Sequence, residues 1–94
     1  MERLPIELRI NGYNYTQLKR GKKACIYEQH VTPGTLRFEV IFIKLRPAEE
    51  VMGRDYPERE VYPCNEDWGK KGWTYIELEN ALRAFDRIES GKYK

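Results

Sequence analysis

Cysteine and histidine, which commonly act as nucleophiles, bases or zinc ligands, are scarce in this 94-residue chain. Cysteines stand at positions 25 and 64, and His30 is the only histidine. A structural zinc site needs four ligands, commonly arranged around Cys-x-x-Cys pairs, and the sequence contains no such pair. A Cys–His nucleophile would need His30 beside a thiol, and nothing in the sequence supports that pairing. We therefore predict no catalytic residue, no metal site and no cofactor.

Paired carboxylates are the second candidate for chemistry. Glu58 with Glu60, and Glu66 with Asp67, have the residue types of a general acid and its partner. A general acid needs a buried carboxyl group, because burial raises its pKa towards the working pH. These four residues lie in a polar segment, where carboxylates are normally solvated. We expect a protein that is not an enzyme.

A cluster of basic residues offers a binding function. Lysine and arginine crowd one predicted hairpin tip, and tyrosines lie on the neighbouring strands. Cationic groups could neutralise phosphates while the rings stack on bases. A solvated turn beside ordinary strand tyrosines is the alternative, and we favour it over nucleic-acid binding. The net charge of +2 is too small to favour nucleic acid by itself. The residues of this nucleic-acid hypothesis are Tyr13, Tyr15, Lys19, Arg20, Lys22 and Lys23.

An aromatic segment offers a second binding function. Two tryptophans, two tyrosines and two prolines fall between positions 56 and 73. Rigid aromatic rings with an arginine are the residues that protein interfaces use as hot spots. The alternative is that the rings fold back on the core, and we expect this of Trp73. The residues of this protein-binding hypothesis are Tyr56, Arg59, Tyr62 and Trp68.

The composition is that of one globular domain spanning residues 1–94, with 40% apolar and 34% charged residues. No apolar run approaches the roughly 20 residues of a membrane span, and the N-terminus lacks the apolar segment of a signal peptide. We therefore expect a cytoplasmic protein without membrane contact. In that compartment its two cysteines are expected to be free thiols.

Residues 4–45 show the period-two alternation of half-buried strands. Asn11-Gly12 lies between two alternating segments and is the strongest short signal for a type I′ hairpin, which would pair Ile10 with Tyr13. Two further turns divide the region into four strands. The fourth, from Leu36, is apolar on one face throughout and on both faces at its far end. We expect it to be central and covered on both sides there.

The C-terminal region predicts one amphipathic helix over residues 74–90. Thr74 and Glu77 have the spacing of a capping box, and Gly91 stands where a left-handed residue would end the helix. Between strands and helix, residues 46–72 predict a long irregular loop that faces outward. The fold class is thus α+β, a four-stranded antiparallel meander with the helix packed on one face. Its predicted buried residues are Leu78, Ala81, Leu82, Phe85 and Ile88.

Part of the chain resembles a group of small proteins of bacterial phages and mobile elements for which no activity is established. The similarity lies in a Phe38-Glu39-Val40 strand, the segment Tyr56-Pro57-x-Arg59-Glu60-x-Tyr62-Pro63-x-Asn65-Glu66-Asp67-Trp68-Gly69, and the Gly72-Trp73-Thr74 helix start. It covers half to two-thirds of the chain. The resemblance implies a phage or mobile-element setting and transfers no site residues.

The stretch Trp68-Gly69-Lys70-Lys71-Gly72 is also similar to the WGR domain, a nucleic-acid-binding module. Lys70 stands where that family has its defining arginine, and lysine cannot make the planar bidentate contact. We do not adopt this similarity. The leading hypothesis is an accessory protein that binds an unidentified protein partner through the aromatic segment, and nucleic-acid binding is the alternative.

Overall fold

The computed structural model describes residues 2–92, except for the side chain at position 65. Within this range the chain forms a central antiparallel sheet, two short two-stranded ribbons and one α-helix, which confirms the α+β class. The strands are β1 (Glu7–Ile10), β2 (Tyr13–Arg20), β3 (Ala24–Thr32), β4 (Thr35–Phe42), β5 (Lys44–Arg46), β6 (Glu49–Val51), β7 (Arg54–Tyr56), β8 (Arg59–Val61) and β9 (Gly72–Tyr75); a 3-10 turn spans Asn65–Asp67, and helix α1 spans Leu78–Glu89.

The central sheet has the strand order β1-β2-β3-β4-β9, one strand more than the predicted four. The first four strands form the expected meander. β9 adds to the other edge of β4, where Trp73 pairs with Val40 and Thr74 pairs with Glu39. Aromatic and β-branched residues such as Trp73 and Thr74 fit the pleated, half-buried surface of a sheet. They therefore pair with the open edge of β4, although the sequence pattern predicted them at the start of the helix.

Helix α1 consequently begins at Leu78, four residues later than predicted. Glu77 is its N-cap in an extended conformation without a side-chain capping hydrogen bond, so the predicted Thr74–Glu77 capping box is wrong. The predicted C-terminus is confirmed: Gly91 has φ +75° and its N–H donates to the carbonyl of Ile88, as in a Schellman motif. Within residues 2–92, no helix has the length and apolarity needed to cross a membrane.

The β1–β2 hairpin forms as predicted. Asn11 and Gly12 both have positive φ, +52° and +85°, and Ile10 pairs with Tyr13. Both central residues of a type I′ turn need positive φ, which asparagine tolerates and glycine adopts without strain. This turn fixes the register and places Ile10 and Tyr13 on the same face of the sheet.

A β-bulge in β2 changes which face the basic residues occupy. The pairing with β3 shifts between Gln17 and Lys19, after which Lys19 pairs with Ile26 and Arg20 with Cys25. Because side chains alternate along a strand, Lys19 and Arg20 lie on opposite faces of the sheet. The predicted basic tip is therefore divided between the two faces.

One face of the sheet, the helix face, packs against α1. The helix contacts β3, β4 and β9 and buries a stripe of small and large apolar residues. Leu82 is partly buried, whereas Leu78 is exposed although the sequence pattern predicted it to be buried. The buried residues of this core are Ala24, Ile26, Val40, Ala81, Ala84, Phe85 and Ile88.

The opposite face, the connector face, is covered by residues 46–71, which we call the connector. The connector differs from the predicted irregular, outward-facing loop, because it contains the β6–β7 hairpin and β8, and β8 pairs with β5. Its aromatic residues Tyr62 and Trp68 pack onto a second core. The sheet therefore lies between α1 and the connector. The buried residues of the second core are Leu4, Tyr15, Cys25, Tyr27 and Ile41.

Candidate functional site

A cleft opens on the connector face between the β1–β2 turn and the connector. Its volume is about 210 Å³. The turn supplies one wall, β2 and β4 supply the floor, and the connector supplies the opposite wall. The residues that line it are Ile10, Asn11, Tyr15, Glu39, Tyr62, Pro63 and Trp68.

Glu39 is the one carboxylate among the described residues of this lining, and it is only 7% exposed. Its Oε1 accepts a hydrogen bond from the Tyr62 hydroxyl at 2.5 Å, and its Oε2 accepts one from the Thr74 hydroxyl at 3.4 Å. Burial raises the pKa of Glu39, and these two hydrogen bonds oppose the rise. A carboxyl group whose pKa is perturbed by burial in a cleft is a typical mark of a functional site.

Three aromatic rings enclose the carboxylate. The centroids of Tyr62 and Trp68 lie 6.4 Å apart with their planes inclined by 23°, and those of Tyr15 and Tyr62 lie 5.9 Å apart. Burial, followed by the charge of Glu39, raises the pKa of Tyr62 and also that of Tyr15. Both phenols therefore stay protonated at neutral pH, and the Tyr62 hydroxyl remains a donor to Glu39.

The position of Trp68 depends on a glycine in β9. Trp68 forms a β-bridge with Gly72, and its Nε1 donates to the Thr74 hydroxyl at 3.1 Å. A Cβ atom at position 72 would lie 2.5 Å from Cζ3 of the Trp68 ring, closer than two such atoms can approach. Glycine at this position therefore permits the indole to lie flat against the end of the sheet.

A buried ion pair fastens the connector to the sheet. Arg20 donates from Nη1 and Nη2 to the two carboxylate oxygens of Glu60, at 2.7 Å and 2.6 Å. Glu60 also accepts from the backbone N–H of Leu4 at 2.9 Å, and its side chain is 7% exposed. The hydrogen bonds from Arg20, opposed in part by burial, lower the pKa of Glu60. This pair holds β8, and with it one wall of the cleft, in place.

The structure divides the predicted protein-binding set into two pairs. Tyr62 and Trp68 meet in the cleft, where they stack. Tyr56 and Arg59 lie on β7 and β8, with the guanidinium 5.6 Å from the Tyr56 ring centroid. Arg59 also donates to the Pro57 carbonyl at 3.2 Å. The second pair contributes nothing to the cleft lining.

The structure also disperses the predicted nucleic-acid set. Lys19 lies on the helix face with its Nζ 4.8 Å from the Phe85 ring centroid, and Arg20 is bound to Glu60 on the other face. Tyr15 is only 5% exposed, so its ring cannot stack on a base. Tyr13, by contrast, is 39% exposed near the β1–β2 turn, and Lys22 and Lys23 are exposed at the β2–β3 turn.

The remaining chemically capable residues do not converge. Cys25 is buried and Cys64 exposed, and both are free thiols. Burial raises the pKa of Cys25 to about 11. His30 is exposed near the end of β3, and its Nε2 lies 3.3 Å from the Thr16 hydroxyl. Among residues 2–92, no three His, Cys, Asp or Glu side chains are placed to share a metal ion.

A second, wider depression of about 920 Å³ lies over the ends of β1, β2 and β3. Arg9 and Glu7 line it beside Asn14 and Thr16. All of its strand residues are polar except Leu8, Tyr15 and Val31. Arg9 donates to the Asn14 side chain at 3.3 Å. Mixed, solvated polar groups of this kind define no particular ligand, and the smaller cleft is the better candidate.

Sequence reasoning did not identify Glu39 and Thr74 as site residues. The one available signal was the position of Glu39 itself. It is a charged residue two positions before Ile41, on the face of the fourth strand that becomes apolar towards the end of that strand. A comparison of the chain with protein-family models, curated proteins and solved structures found no match in any of the three. The geometry of the cleft is therefore the basis for a functional assignment.

Proposed function

We propose that this chain is a small non-enzymatic protein-binding domain, a cytoplasmic accessory factor of a phage or mobile element, and that its partner docks at the cleft. The observation behind this proposal is the combination of a concave site, three aromatic walls and an almost fully buried carboxylate. Interface hot spots have this form: aromatic residues in a desolvated pocket that accepts an anchor from the partner.

The size of the cleft supports a protein partner. Pockets for drug-sized ligands and cofactors occupy about 300–1,000 Å³, more than the 210 Å³ found here. An engineered cavity of about 150 Å³ holds benzene, so the cleft can accept the end of one large side chain. A single inserted side chain is the usual anchor of a protein interface.

The composition of the cleft supports binding over catalysis. Its described lining has one carboxyl group and no histidine, cysteine or second acid. The Tyr62 phenol is committed to Glu39 as a hydrogen-bond donor. Nucleophilic chemistry needs a nucleophile beside an activating base, and the described lining contains no such pair.

Site-specific photo-crosslinking tests this proposal. Tyr13 lies on the connector face next to Ile10, is 39% exposed and has an ordinary strand conformation, so p-benzoylphenylalanine can replace it conservatively. Tyr56 is similarly exposed, at 37%, but lies on the β7 strand outside the cleft, which makes it the matched control. We expect irradiation in a host lysate to give a discrete protein adduct from position 13 and none from position 56.

Excess unmodified protein should suppress that adduct, because it competes for the same partner. An adduct from position 56 alone would place the interface at the Tyr56–Arg59 pair and overturn the cleft proposal. An adduct at position 13 that nuclease removes would favour the nucleic-acid alternative. That alternative also predicts binding to DNA or RNA that weakens steeply with salt, whereas we expect flat titrations.

A further inference from the structure

Two carboxylates are shielded from solvent on the connector face, and the fold treats them differently. The Glu60 side chain is 7% exposed, and Glu39 is buried over the whole residue. Glu60 receives a bidentate arginine from within the chain. Glu39 receives only two hydroxyl donors, and within residues 2–92 it forms no ion pair. The cleft thus contains a buried carboxyl group that lacks a counter-charge among the described residues.

We propose that the cleft binds the guanidinium group of an arginine side chain of the partner, with Glu39 as its counter-ion. This inference rests on the proposed protein-binding function and specifies the chemistry of the anchor. The Arg20–Glu60 pair is the same interaction made inside the chain, on the same face of the same sheet.

Glu39 retains the capacity for such a contact. An ionised carboxylate has about four lone-pair sites, and the described hydroxyl donors use two of them. The Thr74 contact is long, at 3.4 Å, and so contributes little to neutralising the charge. The free sites can accept the two parallel N–H donors of a guanidinium.

The walls of the cleft suit a planar cation. Three rings line it: Tyr62 and Trp68 are partly buried and can contact a ligand, whereas Tyr15 is buried. Aromatic faces attract a nearby cation through the ring quadrupole, most strongly for tryptophan and more often with arginine than with lysine. Guanidinium is also more weakly hydrated than ammonium, so it loses less on entering a desolvated pocket.

The electrostatics of the cleft favour the same ligand. Burial raises the pKa of Glu39, which means that the ionised carboxylate is disfavoured there without a partner. A bound cation would remove this penalty. Raised pKa values keep Tyr62 and Tyr15 neutral, so no second negative charge arises in the cleft at neutral pH.

Titration of the full chain with N-acetyl-arginine methylamide, followed by NMR, tests the inference directly. The two tryptophans provide a built-in control, because Trp68 lines the cleft and Trp73 packs with the helix-face core. We expect the Trp68 indole N–H signal to shift in a saturable manner and the Trp73 signal to stay in place. The citrulline analogue has the same shape without the charge and should bind at least about tenfold more weakly.

Two charge-neutral variants provide the matched comparison. Glu39→Gln retains the size of the side chain and one acceptor oxygen but removes the charge, and it should weaken arginine binding at least about tenfold. Glu79→Gln removes an equivalent charge from the exposed surface of α1 and should leave binding unchanged. Thermal unfolding of both variants establishes that they are folded.

Equal binding of the arginine and citrulline probes to the unmodified chain would overturn the inference, and so would unchanged arginine binding by Glu39→Gln. A tighter interaction with the lysine analogue would also overturn it. In each case a cleft-specific protein adduct at position 13 would leave the proposed protein-binding function standing, so the two failures can be distinguished.

Discussion

Replacing Glu60 with alanine is the substitution that most directly tests how the connector is held on the sheet. The change removes two hydrogen bonds from Arg20 and one from the Leu4 N–H. Leu4 is buried, so its N–H loses its described partner without access to much solvent. The Arg20 side chain is 23% exposed and can recover part of its hydration.

The expected loss of unfolding free energy follows from the intermediate exposure of the pair. Breaking a fully buried pair by removing one partner costs about 3–5 kcal/mol, whereas exposed pairs contribute about 0–1 kcal/mol. With Glu60 at 7% and Arg20 at 23% exposure, we expect a loss of about 2–3 kcal/mol. In a domain of this size that loss lowers Tm by roughly 8–24 °C.

The loss should depend on pH in a defined direction. Because the folded-state pKa of Glu60 is lowered, its contribution is fully present above the unfolded pKa of about 4.3 and disappears as the pH falls through the lower folded-state value. Urea denaturation of the unmodified and Glu60→Ala proteins at pH 7 and at pH 3 measures this directly. The difference in unfolding free energy should be large at pH 7 and smaller at pH 3.

Glu79→Ala is the control for this experiment. Glu79 also pairs with an arginine, Arg83, but both side chains are mostly exposed on α1. An i,i+4 pair of this kind contributes about 0.3–0.5 kcal/mol. If Glu60→Ala destabilises the protein no more than Glu79→Ala does, the Arg20–Glu60 pair does not hold the connector and our reasoning is refuted.

Three further substitutions or modifications test other parts of the structure. Gly72→Ala should lower the unfolding free energy measured by urea denaturation by about 1–3 kcal/mol, because a Cβ atom at position 72 overlaps the Trp68 ring. It should also shift the Trp68 indole N–H resonance, and an unchanged resonance would contradict this packing. Cys64 should react with a thiol reagent in the native state, whereas Cys25 should react only after unfolding, as its burial and its raised pKa of about 11 require. Glu39→Gln should raise the unfolding free energy at pH 7 and have less effect at low pH. The reason is that the folded-state pKa of Glu39 is raised, so the protein loses stability as this carboxyl group ionises. Destabilisation of the variant at pH 7 would contradict this.

Local signals in the sequence predict much of the sheet. The Asn11-Gly12 turn specifies its own geometry, since few other residues accept two consecutive positive φ angles, and the register of β1 with β2 follows from it. The interior position of β4 was also predictable, because both of its faces are apolar towards its far end, and Val40 and Ile41 on opposite faces there are both fully buried. Gly91 likewise marks the end of the helix without reference to tertiary contacts.

The prediction was wrong where tertiary contacts override the local sequence pattern. Thr74 and Glu77 have capping-box spacing, but pairing with β4 competes for the same residues and forms β9 instead. The connector has little periodicity of its own, so its packing against the second core could not be predicted from the sequence. Two of its aromatic residues, Tyr62 and Trp68, find their partners on strands distant in the chain.

The site was the least predictable part, because its members come from four separate regions of the chain. Tyr15 looked like a surface stacking residue and is a wall of the cleft, and Glu39 looked like a solvated strand residue and is its floor. Only the addition of β9 brings Thr74 next to Glu39, and only the connector brings Tyr62 over it. Glu39 is a candidate site residue because these later parts of the chain bury its carboxyl group.

The contrast between Glu39 and Glu60 is the main argument that the cleft is functional. Both carboxylates are removed from water on one face of the sheet, and the ion pair with Arg20 accounts for Glu60. Nothing in the described fold provides Glu39 with an equivalent partner, although glutamine would fill the same space and could still accept from the Tyr62 hydroxyl. A protein that keeps an ionisable group where its charge is destabilising usually does so for binding or catalysis. The described lining holds no histidine, cysteine or second carboxyl group, and an arginine from a protein partner is the positively charged ligand that we propose for it.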